Sequence, residues 1–221
     1  FVGRQTHTAV RGEDDKPLLN AQDWQSAIFK PEGITAPVAY MITCLLISQT
    51  TSVDLVPASV KTLSVVPRPW VVFAQFLCFD LLMWHIHYVQ HRWRWLYYNT
   101  HAVHHTIASP TMIVALTGYL PDTCLLILLP LHLTIALVPA NLADVFVFTS
   151  LSLLHLHAIH SEFFHKWDPA LRSLHLVDTT FHHGHHLKPR SNLAHFFVDI
   201  DRFYGTFFDA ADHIKLKHHA H

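Results

Sequence analysis

Apolar and polar positions divide this chain into long hydrophobic runs separated by stretches rich in histidine. Residues 1–17 are polar and without periodicity, as a cytosolic arm would be. Between Leu18 and Lys30, the side chains Leu19, Trp24, Ile28 and Phe29 suit one face of a short helix resting on a membrane interface, ended by Pro31 and Gly33. Ile34 to about Val53 carries no charge and is long enough for a first span, since crossing hydrocarbon takes roughly 20 apolar residues. A proline-punctuated loop, Asp54–Pro69, leads to a second span from near Trp70 to about His87, with Trp70 and Trp84 as interfacial aromatics. Thr111–Val138 is apolar but interrupted at Gly118, Pro121, Asp122 and Pro130; it reads as a partly embedded segment followed by a third span, about Cys124–Val138. Pro139-Ala140-Asn141 predicts a tight turn, and Leu142 to about Leu156 a short fourth span. From Ser161 onward the chain is polar, aromatic and rich in histidine.

Composition supports the membrane class. Half of the 221 residues are apolar and only 14% are charged, against roughly 25% charged in an ordinary soluble domain. The net charge near zero points away from nucleic acid as a partner. Cys44, Cys78 and Cys124 lie in apolar runs without paired spacing and read as small buried hydrophobes. Phe1 is not a natural start, so targeting information is expected to lie upstream. Arg92 and Arg94 follow the second span at once, and Lys166, Arg172, Lys188, Arg190 and Arg202 lie in the tail. The opposite side has only Lys61 and Arg68, so the positive-inside rule makes the histidine side cytosolic.

Histidine changes the picture most, at 22 residues. His87 and His91 are four apart, so on a helix their rings share a face. His101, His104 and His105 repeat at i, i+3 and i+4, and His182, His185 and His186 repeat that spacing. One His-x-x-His-His is expected about 0.2 times by chance at this histidine frequency, and two copies with the first pair far less often. Neutral imidazole is the commonest protein metal ligand, and all-nitrogen donors suit Zn, Cu, Fe or Ni. Eight such ligands exceed the four of a closed zinc site and fit two metals with positions open to dioxygen. Without nearby cysteines or carboxylates, two irons that activate oxygen are the natural occupants, although zinc could take their place in a prepared sample. The expected architecture is all-α and integral to the membrane, with about four transmembrane helices and a cytosolic histidine-rich helical cap holding the dinuclear metal site. Two rivals remain. A haem-binding membrane cytochrome would need histidines deep inside the spans, and a metal transporter would need ionisable ligands at mid-bilayer, where only His132 and Asp80 are available.

Outside these motifs the roles are more ordinary or stay open. Asp80, inside a span, reads as functional, as a partner of a ligand, or as an acceptor of backbone or tryptophan hydrogen bonds. His132 suits a hydrogen-bonded core histidine, and His175 a surface group or a support for a ligand. His183 points away from its neighbours, and His195 could contact metal or water. Trp93, Trp95, Tyr97 and Tyr98 form an interfacial belt. Asp201 and Arg202 are expected to form an ion pair that pins the tail, with Gly205 turning the chain after them.

The order Asp80…His87-x-x-x-His91…His101-x-x-His104-His105…His182-x-x-His185-His186…Asp201-Arg202-Phe203-Tyr204-Gly205-Thr206 resembles the fatty acid hydroxylase/sterol desaturase superfamily over about Trp70–Phe208. The resemblance implies a two-iron enzyme of the endoplasmic reticulum that hydroxylates or desaturates a C–H bond of an apolar substrate with dioxygen, reduced by an external donor such as cytochrome b5. Residues 1–33 would then be an N-terminal arm and 34–221 the catalytic domain. Sterol-oxidising members carry a His-Ser or His-Asp pair about 22 residues before the last box. His160-Ser161 stands at that distance, so the resemblance implies His160 as a ninth ligand and His157, one turn earlier, as a tenth, with His155 able to replace it. The chain departs from the family's pattern at Tyr88, at Leu120-Pro121-Asp122 in place of His-Pro-x-Glu, and at Asn192-Leu193-Ala194 in place of Asn-Tyr-Gly. These departures leave the metal boxes whole. They tilt the expected substrate from core lipids toward a specialised apolar metabolite.

Overall fold

A computed structural model describes residues 66–102, 104–106, 120–161 and 163–210; the arm, the interfacial helix and the first span expected from sequence lie outside them. Helix α1 spans Pro69–Arg92. Its proline sits at the first helical position, where a missing N–H costs nothing. A short helix α2, Arg94–Leu96, runs into a π-helical turn, Tyr97–His101, and a 3₁₀ turn covers His104–Thr106. Helix α3, Leu120–Thr123, continues through a π turn, Cys124–Leu128, into α4, Leu129–Leu137. Then follow α5 (Leu142–Ile159), α6 (Asp168–Ser173), α7 (Thr179–Leu187) and α8 (Val198–Tyr204). Among the described residues there is no strand, only an isolated antiparallel bridge between Leu176 and Phe197.

The third apolar segment differs from expectation. Pro121 and Asp122 do not break it, because Pro121 falls in the first turn of α3, where its ring is tolerated. Pro130 is accommodated by the π turn before it, which widens the backbone where the proline ring would meet the Leu126 carbonyl. The second and fourth segments run further than expected, to Arg92 and Ile159, so both carry histidines on their last turns.

Arg68 joins the starting ends of two helices. Asp144, in the first turn of α5, accepts the Arg68 backbone N–H (2.6 Å) and its guanidinium (2.6 and 3.0 Å), while Asn141 and Asp144 close a capping box. Helices α1 and α5 therefore run parallel, and α3–α4 returns between them. Phe79, Met83, Leu126, Phe148 and Phe196 fill the space between, with Phe76 edge-on to Phe148 at 5.0 Å. Outward, Trp70, Phe73, Phe146 and Leu154 are exposed. With 24 and 18 residues, α1 and α5 are long and apolar enough to cross a membrane.

Two buried aspartates fasten the chain after α7 onto this bundle. Asp80 accepts the backbone N–H groups of His195, Phe196 and Phe197 at 2.7–3.0 Å. Asp201 accepts those of Leu193 and Ala194, the indole of Trp84 and the hydroxyl of Thr206. Asp80 is thus an acceptor for backbone rather than a metal partner, and Trp84 is buried and stacked on Tyr204 rather than interfacial. Arg202 pairs with Asp199 one turn away rather than with Asp201, whose lone pairs are already taken. Gly205 ends α8 at φ 70°, a left-handed cap that favours glycine. Cys124 is exposed and Cys78 half-buried, so neither is the fully buried hydrophobe expected.

Candidate metal centre

Nine of the ten expected ligands converge in two sets: His87, His91, His101, His105 and His185 in one, and His104, His160, His182 and His186 in the other. Within each set, one nitrogen per ring lies within 4.8 Å of all the others. The tenth, His157, stands apart: its Nδ1 donates to Leu153 O on its own helix, and it belongs to neither set. His155 does not replace it. That ring stacks on Phe196 and donates from Nε2 to the His195 carbonyl at 2.9 Å.

Local structure sets these positions. The four-residue spacing on α1 stacks His87 over His91. The π turn at Tyr97–His101 brings His101 in beside them, and the 3₁₀ turn aims His104 and His105 at different sets. On α7 the His182-x-x-His185-His186 spacing likewise feeds both sets. Asp178 caps that helix by accepting Phe181 N–H at 2.8 Å. Gly184 sits among these histidines because a Cβ there would come 2.6 Å from the Ala210 Cβ and 2.9 Å from Asn192 Nδ2. Asn192, at φ 56°, holds the returning chain through Phe181 O and Phe208 O.

Hydrogen bonds on the far side of the rings fix their tautomers. Nδ1 donates to Leu193 O from His87, to both Asp122 oxygens from His101, to Leu156 O from His160 and to Ser191 O from His185, all at 2.7–3.0 Å. The neutral rings then present unprotonated Nε2 atoms inward. Yet Nε2 of His87 and His101 stand 3.0 Å apart, and two lone pairs at that distance cannot hydrogen-bond. A cation between them resolves the conflict. Four Nε2 atoms close a ring, His87–His101–His105–His91, with edges of 3.0, 3.0, 3.2 and 3.2 Å, and His185 lies 3.1 Å from His105. Nitrogens about 2.1 Å from one metal and at right angles to each other would be about 3.0 Å apart. In the second set, Nε2 atoms of His160 and His182 are 2.9 Å apart, and both nitrogens of His186 are buried without a partner. The donor sets fit two metal ions.

Electrostatics agree. Burial, aided by neighbouring imidazoles, holds His101, His182, His185 and His186 well below the ordinary histidine value. Burial brings His104 to about 4. These rings are neutral at pH 7, the form that ligates metal.

A cavity of about 40 Å³ opens onto both sets, touching His87 and His101 of one and His104 and His160 of the other. Its remaining wall includes the apolar side chains of Met83, Leu126, Ile127 and Leu156. Asp122 lines it too, its carboxylate accepting from the Gln90 amide at 2.9 Å. Sequence reasoning missed Asp122 as the support of His101, although the shortened Leu-Pro-Asp segment marked the place. His183 is buried and donates to Ser161 O, whereas His175 is exposed and pairs with Asp199.

The fatty acid hydroxylase family profile matches residues 72–206. An alternative squalene epoxidase of Phaeodactylum tricornutum is 30% identical over 185 residues, covering 82% of this chain and 51% of that protein. Methylsterol monooxygenase 1-3 of Arabidopsis thaliana is 26% identical over 154 residues, 67% of this chain and 53% of that protein. The chain therefore spans about half the length of these relatives, and no solved structure matches it. With its histidine boxes inside the matched segment, the chain belongs to the fatty acid hydroxylase/sterol desaturase superfamily.

Proposed function

We propose that this chain is the catalytic part of a membrane oxidoreductase that uses dioxygen to oxidise an isoprenoid lipid of squalene or sterol type. The carrying observation is the pair of histidine sets whose tautomers leave lone pairs facing one another at 3.0 Å. Two irons held there would supply the reduction of dioxygen and the oxidation of an otherwise inert C–H bond. His87, His91, His101, His105 and His185 would hold one metal, and His104, His160, His182 and His186 the other. The back-side acceptors Leu193, Asp122, Leu156 and Ser191 keep each ring turned inward. Met83, Leu126, Ile127 and Leu156 would give the small cavity beside the two sets an apolar side.

The relatives' names draw the substrate toward squalene and sterols rather than a specialised metabolite. Hydroxylation or desaturation is the outcome that membership of the fatty acid hydroxylase family suggests. Epoxidation of an isoprenoid double bond is a second, favoured by the name of the relative whose alignment covers 82% of this chain at 30% identity. Four spans, with the histidine end in the cytosol at the endoplasmic reticulum and cytochrome b5 as electron donor, complete the reading; the basic residues flanking α1 and in the tail support that orientation.

The test is to load the full chain with ferrous iron in lipid nanodiscs and supply reductant, cytochrome b5 and ¹⁸O₂. Squalene and a methylsterol are offered separately. One product carrying a single ¹⁸O atom, or lacking two hydrogens, is expected from one of them. No oxygen-dependent product from either, together with less than one metal per chain, would overturn the reading.

A further inference from the structure

His195 belongs to neither histidine set, yet it stands between them. Its ring centroid is 5.4 Å from that of His87 in the first set and 5.2 Å from that of His182 in the second. It lines the cavity that both sets share. The residue is only 4% exposed, and its Nδ1 is buried without a hydrogen-bond partner. Buried imidazole nitrogens are seldom left unpaired unless something not of the protein completes them.

The backbone there is held on both sides. His195 N–H donates to Asp80 at 2.7 Å, and its carbonyl accepts from His155 Nε2 at 2.9 Å. Neighbouring N–H groups of Phe196 and Phe197 also end on Asp80. The backbone at His195 is thus clamped between α1 and α5, and the side chain it carries lines the cavity. Asp80 and His155 share the task of holding that stretch of backbone. The cavity, at about 40 Å³, has room for one or two molecules of water size.

We propose that His195 is a tenth functional histidine: not a metal ligand, but the hydrogen-bonding group for a small oxygen molecule seated in the cavity between the two sets. The proposal rests on the two-metal reading above. In that role the imidazole touches the reacting molecule and orients it, while Asp80 and His155 act as positioning residues.

The test uses the full chain in detergent, loaded with ferric iron, and azide as a small anionic probe followed by its absorption band. Wild type is expected to hold two irons and bind azide. His195→Leu, of similar bulk but without a hydrogen bond, should keep two irons and bind azide about fivefold to tenfold more weakly. His195→Gln, which restores a hydrogen-bonding group, should recover most of that affinity. Equal azide affinity in His195→Leu and wild type, with iron content intact, would overturn the role of His195 alone. Loss of iron in either variant would make the residue a ligand or a packing group and would overturn it as well. A wild-type chain that takes up no metal would sink the two-metal reading and this proposal together.

Discussion

Replacing Asp122 tests how far the site depends on a residue that is not itself a ligand. Asp122 receives the Nδ1–H of His101 at 3.0 Å to each oxygen and the Gln90 amide at 2.9 Å. In Asp122→Ala the buried Nδ1–H loses its acceptor, and the ring is free to adopt the other tautomer, which carries its proton on Nε2 and cannot ligate. A hydrogen bond to a charged group contributes about 1.5–3 kcal/mol, which corresponds to a loss of roughly tenfold to 150-fold in affinity for the metal that His101 faces. Removing such a support elsewhere typically costs 10–100-fold, the same range. Asp122→Asn keeps an oxygen for His101 and should lose about tenfold at most. The assay is a chelator competition on the full chain, reading metal per chain against free metal, with helicity followed by circular dichroism. Unchanged affinity in Asp122→Ala, with helicity intact, would refute the claim that the carboxylate fixes the His101 tautomer.

Three further outcomes follow from the geometry. His160→Ala should lose about one metal per chain whereas His157→Ala should keep both; elemental analysis separates them, and equal loss would refute the assignment of sets. Asp80→Ala leaves two buried N–H groups and one part-buried one without an acceptor and should destabilise the fold by about 2–3 kcal/mol or more. Thermal melting checks this, and a melting temperature within a degree of wild type would refute it. Acid should destabilise the metal-free chain. His104 and His183 titrate near 4 when folded because they are buried, against 6.5 ordinarily, so between these values the unfolded chain binds protons that the folded chain does not. Stability is then present above about 6.5 and lost as pH falls, by up to about 1.4 kcal/mol per pH unit for each such histidine. A melting temperature that stays level from pH 7 to pH 5 would refute that sign.

Spacing made the candidate ligands legible because a metal ion needs several imidazoles within one small sphere. Helical periodicity delivers them at i, i+3 and i+4, so His87/His91, His101-x-x-His104-His105 and His182-x-x-His185-His186 were visible in the chain before any contact was known. How adjacent histidines divide took the structure to show. In both boxes the two histidines four apart join one set and the one between them joins the other: His101 and His105 against His104, and His182 and His186 against His185, whether the local turn is π, 3₁₀ or α. His157 shows the opposite failure. Its one-turn spacing from His160 suggested a shared face, and each ring does bond the carbonyl four residues back, at Leu153 and Leu156, yet only His160 joins a set. Asp80 stayed open among several readings, and Trp84 was misread as interfacial, for a related reason. Sequence showed their polarity within an apolar run but not the returning segment Leu193–Phe197, whose backbone N–H groups and neighbouring Asp201 satisfy both. That segment crosses the fold with Asn192 in a left-handed turn, places the His87 acceptor at Leu193 and presents His195 to the cavity. Candidate ligands can be read locally because each box keeps to the spacing of a single helical turn. The acceptors that orient them come from more than a hundred residues away in His87's case, and the fold is what brings them together.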